Sequence, residues 1–174
     1  MKKIANNIDY FIKFIGDSIA WLTLFMVLLT FIIVVLRYGF NIGSIAAQES
    51  VLYMHALVFM LGAAITLQKN EHVRVDIFYQ KLSVRGKALV NIFGTLFLLF
   101  PLCGFIVWSS WDYIADSWAV KESSSEAGGL PGVYLLKTSI LLMVALLSLQ
   151  AISELIKNTL LVVNPQTYND QENS

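Results

Sequence analysis

Long apolar runs alternate with short polar stretches along this chain, and the period of that alternation predicts helices long enough to cross a bilayer. A helix traversing a hydrocarbon layer of about 30 Å needs about 20 largely apolar residues. Residues 18–36 (SIAWLTLFMVLLTFIIVVL), 50–68 (SVLYMHALVFMLGAAITLQ) and 88–111 (ALVNIFGTLFLLFPLCGFIVWSSW) meet that requirement without one Asp, Glu, Lys or Arg. A fourth run, 138–153 (TSILLMVALLSLQAIS), is extended by GVYLL before Lys137 and by apolar positions around Glu154 and Lys157. Lysines at helix ends can keep their charge at the headgroups while their stems stay in hydrocarbon, so this run also counts as a span. The expected fold class is an all-α integral membrane protein with four transmembrane helices, over about 18–38, 49–68, 88–111 and 133–156. Residues 1–163 then form one membrane domain, and 164–174 a polar tail.

Composition agrees with that pattern. Hydrophobic residues are 57% of the 174 residues, charged residues only 14%, and mean hydropathy is +0.67; soluble domains carry about 25% charged residues. The placement of the cations adds an orientation. Lys69, Arg74, Lys81, Arg85 and Lys87 crowd between spans two and three, and Lys2, Lys3 and Lys13 precede span one. The two loops on the other side hold only Arg37, Lys121 and Lys137. Cationic loops stay on the cytoplasmic side, so both termini of a multi-pass membrane protein are expected there. Asp9 and Asp17 precede a first apolar run longer than a signal-peptide core, so that run is expected to remain as a span.

Two segments show amphipathic spacing. Ile4, Ile8, Phe11, Ile12 and Ile15 recur at helical intervals, which suggests a separate N-terminal helix lying in the interface before span one turns inward; a frayed leader without a partner fits the same spacing. Val75, Phe78, Tyr79 and Leu82 form a similar stripe, leaving Arg74, Lys81 and Arg85 to meet lipid phosphates. Those charges serve either as a topology signal or as a docking surface. On the opposite face, Trp108, Trp111, Tyr113 and Trp118 resemble an aromatic anchor belt in contact with membrane lipid. KESSSEAGGLPG (121–132) is a polar, Gly-rich loop ended by a proline. Pro101 sits inside span three and should distort it.

Catalytic chemistry finds little footing. Cys103 is the one cysteine, so an intrachain disulfide or redox pair is impossible, and packing beside Pro101 is its expected role. His55 and His72 are 17 residues apart, which along a helix is about 25 Å, too far for one haem. No metalloprotease helix, phosphate-binding loop, nucleotide fingerprint or nucleophile elbow is present, so neither an enzyme, a cofactor, a metal site nor a nucleic-acid partner is expected. Every Asp and Glu lies at or outside a span boundary, leaving His55 as the titratable group well inside one. It serves either packing and partner contact or proton transfer. Gly62, Ala63 and Ala64 form a small-residue patch that lets another helix approach, and Arg37 and Glu49 bracket the outer loop closely enough to pair.

The order LRYGF (36–40), QESVLY (48–53), LGAAITLQKNEHVRVD (61–76), EAGGLPGVYLLK (126–137) and LLSLQAISELI (146–156) resembles the small permease subunit of tripartite ATP-independent periplasmic (TRAP) transporters, over about residues 8–160. The resemblance implies a non-catalytic subunit of a sodium-coupled transporter for organic acids such as dicarboxylates, keto acids or sialic acid. Its implied partners are a large multi-span permease subunit that works as an elevator and a periplasmic substrate-binding protein, with the small subunit as scaffold. It further implies the bacterial inner membrane and places Arg37 and Glu49 in an outer pair or a contact with the large subunit, while the small-residue patch itself adds His55, Gly62 and Ala63 as candidate interface residues. His72, Arg74 and Asp76 become a polar brace on the cytoplasmic side, and Gly128, Gly129, Leu130 and Pro131 shape the periplasmic loop near the binding protein. Each residue also fits a plainer role as snorkelling charge, topology signal or ordinary turn. The competing reading is a self-contained four-helix protein, either a small exporter or a membrane anchor for a redox or signalling enzyme.

Overall fold

The computed structural model describes residues 1–69, 79 and 82–163. Four helices account for most of them: α1 (Lys2–Phe40), α2 (Ile45–Gln68), α3 (Val84–Ala119) and α4 (Val133–Val163), each long and apolar enough to cross a membrane. No strand occurs among the described residues. The all-α, four-span expectation holds, and the helix ends carry the local chemistry that explains it.

Asn41 stops α1 in the left-handed region (φ 54°), a conformation that Asn tolerates better than most residues, and Ile42 N–H closes the last turn on Leu36 O at 3.0 Å. Ser44 then opens α2 by accepting the N–H of Ala47 at 3.3 Å, and Ser83 opens α3 by accepting that of Gly86 at 3.2 Å. Within α3, residues Thr95–Leu99 widen into a π-helical turn just before Pro101, with Phe100 N–H reaching Thr95 O. Proline has no N–H and its ring crowds the preceding turn, so a five-residue step relieves the clash that sequence places here.

One expectation is corrected. The stripe over residues 4–15 does not form a separate interfacial helix: α1 runs unbroken for 39 residues, about 58 Å at 1.5 Å per residue, well beyond the bilayer core. The physical reason is packing along one side of the segment, which takes Ile12 fully and Ile8 and Ile15 in part against protein. Ala5, Ile12 and Ile19 are buried, whereas Ile4 and Phe11 stay exposed. At Gly16 an added Cβ would stand 3.0 Å from the side chain of Ile65, so the missing side chain is what lets α1 approach α2.

Helices α1, α2 and α4 pack mutually, while both halves of α3 lie on α4, which makes α4 the central helix. It carries more of the buried positions than any other helix, among them Val144, Leu147 and Ala151. Cys103 packs from α3 against Val144 and Leu147, as expected for a core thiol.

Candidate functional site

Both helix termini of the bundle meet at one end, and a polar cluster joins them. Asp9 sits on the inner face of α1, one turn from Ala5 and Ile12. Its Oδ1 accepts from Ser153 Oγ at 2.8 Å and Gln150 Nε2 at 3.1 Å, and its Oδ2 faces Lys157 Nζ at 2.7 Å. Lys157 also reaches Glu154 Oε1 at 2.9 Å. Two backbone carbonyls of α1 are tied in: Asp9 O accepts from Gln68 Nε2 at 2.7 Å and Ala5 O from Ser153 Oγ at 3.2 Å. A second link holds α3 to α4, where Asn91 Nδ2 donates to Asn158 Oδ1 at 3.2 Å and Tyr79 OH donates to Asn91 Oδ1 at 3.2 Å. Charged groups this close to apolar surroundings persist when each is paired and hydrogen-bonded, and that condition is met here.

At the opposite end, Glu49 organises the Gly-rich loop. Leu130 N–H donates to Glu49 Oε2 at 2.6 Å, and Ser124 Oγ donates to Oε1. The loop then closes on itself through Ser124 N–H to Leu130 O at 3.1 Å and Gly129 N–H to Glu126 O at 3.0 Å. Gly128 takes φ 82°, where a side chain is strained, and a Cβ on Gly129 would come within 2.8 Å of Glu49 Oε1 and collide with Ser124. Pro131 follows as an exposed residue, and Gly132 is buried with Tyr53 beside it. Gly128, Gly129, Leu130 and Pro131 lie in this loop, and the carboxylate that holds Leu130 is 81 residues away.

Beside that loop, Glu122 pairs with Lys137, whose ammonium also lies 3.8 Å from the Tyr113 ring centroid. The hydrogen bond from Lys137 holds the Glu122 carboxyl below the usual carboxylate range. Lys121 Nζ stands 4.6 Å over Trp118, and Trp118 Nε1 donates to Thr138 Oγ1 at 2.9 Å. Trp118 and Tyr113 thus touch protein on one side, while all four rings of the aromatic group, Trp108 and Trp111 most of all, stay exposed.

The expected Arg37–Glu49 ion pair is not formed. Arg37 is exposed at the last turn of α1, and both oxygens of Glu49 are turned to the loop. Backbone N–H groups of a tight turn offer a fixed, oriented partner, whereas a long Arg side chain would have to be ordered at an entropic cost. His72, Arg74 and Asp76 lie outside the described residues.

The small-residue patch of α2 divides. Ala64 is buried, Ala63 is half-buried, and a Cβ added at Gly62 would meet nothing within 4 Å. His55 is exposed on the same side of α2 as Gly62. Among the described residues no group of three His, Cys, Asp or Glu is arranged to hold a metal. What the described geometry provides is a bundle clamped at both ends and a partly polar outer face on α2.

The family model for the DctQ component of tripartite ATP-independent periplasmic transporters matches residues 26–160. The chain belongs to this family. Within it the chain is similar to a protein of Haemophilus influenzae provisionally named TRAP transporter small permease protein, with 32% identity over 111 residues. That match covers 64% of this chain and 66% of the relative's own length, just under two thirds. No solved structure matches. The family is a component of a transport system, and the chain's four long apolar helices fit a multi-pass membrane protein. Sequence reasoning found the spans and the loop motif but missed the Asp9 and Glu49 clusters. Their only signal was an acidic residue beside an apolar stripe, with no hint of which distant residue it would meet.

Proposed function

We propose that this DctQ-family chain is the non-catalytic small subunit of a sodium-coupled TRAP transporter for organic acids, serving as scaffold for a large elevator-type permease supplied by a periplasmic binding protein. The observation that carries the scaffold reading is the use made of its ionisable side chains. Asp9, Glu154 and Lys157 tie α1 to α4, and Glu49 ties the start of α2 to the loop before α4. Charges spent on cross-helix bonds make a rigid body, which is what a moving carrier needs to push against.

In this reading both termini are cytoplasmic, because the cations Lys69, Arg85 and Lys87, at the facing ends of α2 and α3, share the end of the bundle where Asp9 meets Lys157. The Glu49 loop, with Gly128, Gly129, Leu130 and Pro131, then faces the periplasm and the binding protein. His72, Arg74 and Asp76 would brace the cytoplasmic turn. Arg37, Glu49, His55, Gly62 and Ala63 are the proposed contact residues for the large subunit, with Glu49 acting through the loop it holds.

The deciding experiment is substrate uptake by proteoliposomes that contain the large permease with or without this chain, driven by a sodium gradient in the presence of the binding protein. Uptake that requires both chains supports the subunit reading. If this chain changes neither uptake nor the stability of the permease, the reading fails and a self-contained membrane protein takes its place.

A further inference from the structure

His55 stands in an unusual place. It is exposed on α2, 10 residues from Ile45 and 13 from Gln68, or about 15 and 20 Å from the two helix ends. An imidazole is too short to reach either headgroup region from that depth, and lipid tails offer it no hydrogen bond. It has no hydrogen bond or ion pair within the described chain.

The other exposed faces differ. Along α1 the outward positions of the span, including Trp21, Phe25, Phe31 and Val35, are apolar. Its exposed Thr30 satisfies itself on Met26 O at 2.7 Å. On α3, Phe93, Phe97 and Phe105 face outward, and Ser109 donates to Ile106 O at 3.2 Å. Those faces suit lipid. On α2, exposed Gln48, Leu52, His55 and Phe59 continue to Gly62 and Thr66, in steps of four and three residues that keep all six on one side of the helix. Nothing stands within 4 Å of a Cβ at Gly62, so this notch is open to an incoming helix.

We infer that this face of α2 is where the chain joins its large subunit, through one transmembrane helix that presents a hydrogen-bonding side chain to His55 at mid-membrane depth and crosses closest at Gly62. The inference rests on the subunit reading and adds the face, the depth and the chemistry of the contact.

The test uses the whole co-expressed complex in membranes, with a photo-crosslinking amino acid placed at Leu52 or Phe59 on α2, at Phe31 on α1, or at Phe97 on α3. Crosslinks to the large subunit from 52 and 59, and not from 31 or 97, are expected. His55→Leu should weaken recovery of the large subunit with this chain by about tenfold, the worth of one interhelical hydrogen bond in lipid. His55→Gln should restore most of it, and neither change should alter the melting of the isolated chain, because His55 is exposed in it and makes no hydrogen bond or ion pair. A recovered complex that crosslinks through 31 or 97, through a second copy of this chain, or from none of the four positions overturns the inference and leaves the subunit reading standing. Unchanged recovery with His55→Leu likewise overturns it. Failure to recover any large subunit with the unaltered chain overturns the subunit reading instead, and this inference with it.

Discussion

Glu49 Oε2 accepts the backbone N–H of Leu130 at 2.6 Å, so the first turns of α2 hold the loop that leads into α4. A carboxylate bound to a backbone N–H and a hydroxyl makes charge-assisted bonds that a neutral side chain matches only in part. Glu49→Ala should free residues 120–132, seen as faster proteolytic cleavage there, with α2 and α4 still helical by circular dichroism. Glu49→Gln should be milder, since its amide oxygen can still accept from Leu130.

The two glycines of the loop fail for different reasons when replaced. Gly128→Ala forces a side chain into φ 82°, at a cost of about 1–2 kcal/mol. Gly129→Ala pushes its new methyl against Ser124 and Glu49, so the loop itself must move. Thermal unfolding should show a loss in both, and only Gly129→Ala should share the cleavage pattern of Glu49→Ala.

At the terminal end, Asp9→Asn removes the charge facing Lys157 while keeping the shape. The pair is partly exposed, with side chains 35% and 24% accessible, so the expected loss is about 1–2 kcal/mol, below that of a fully buried pair. Amide exchange should rise in residues 2–16 and stay unchanged beyond residue 20. The exchanged pair Asp9→Lys with Lys157→Asp should recover part of the loss.

Acid should weaken the loop end through Glu122. Its folded carboxyl titrates below the unfolded one because Lys137 hydrogen-bonds to the ionised form. The contribution is therefore complete above the ordinary carboxylate range and disappears as pH falls through the depressed folded value. Lys137→Met should flatten that acid limb in a plot of melting temperature against pH. A limb that persists unchanged would assign it to another group.

Much of the architecture was legible along the chain because lipid imposes a local rule. No water is present to satisfy backbone groups, so each span must be an apolar helix of a given length, and its bounds can be read from composition alone. The four spans, the distorted stretch ahead of Pro101 and the turn at Gly128–Pro131 all follow from residue types within a few positions of one another. The Arg37–Glu49 pair was a reasonable expectation by the same local logic, as both residues flank one short loop. It failed because Glu49 found a better partner 75 to 81 residues away.

What proximity in sequence could not convey was which side of each helix faces which neighbour. The stripe at residues 4–15 reads equally well as a surface for headgroups or for protein, and the fold divides it: Ile12 packs inside, while Ile4 and Phe11 stay exposed. Asp9 meets Ser153, Gln150 and Lys157 across more than 140 residues. Apolar length and charge placement dictate how many helices there are and how they thread the membrane. Their rotations are set by close approaches such as Gly16 on Ile65, which place Asp9 inside the bundle and leave His55 outside it, since a shift of one residue turns a helical side chain by about 100°.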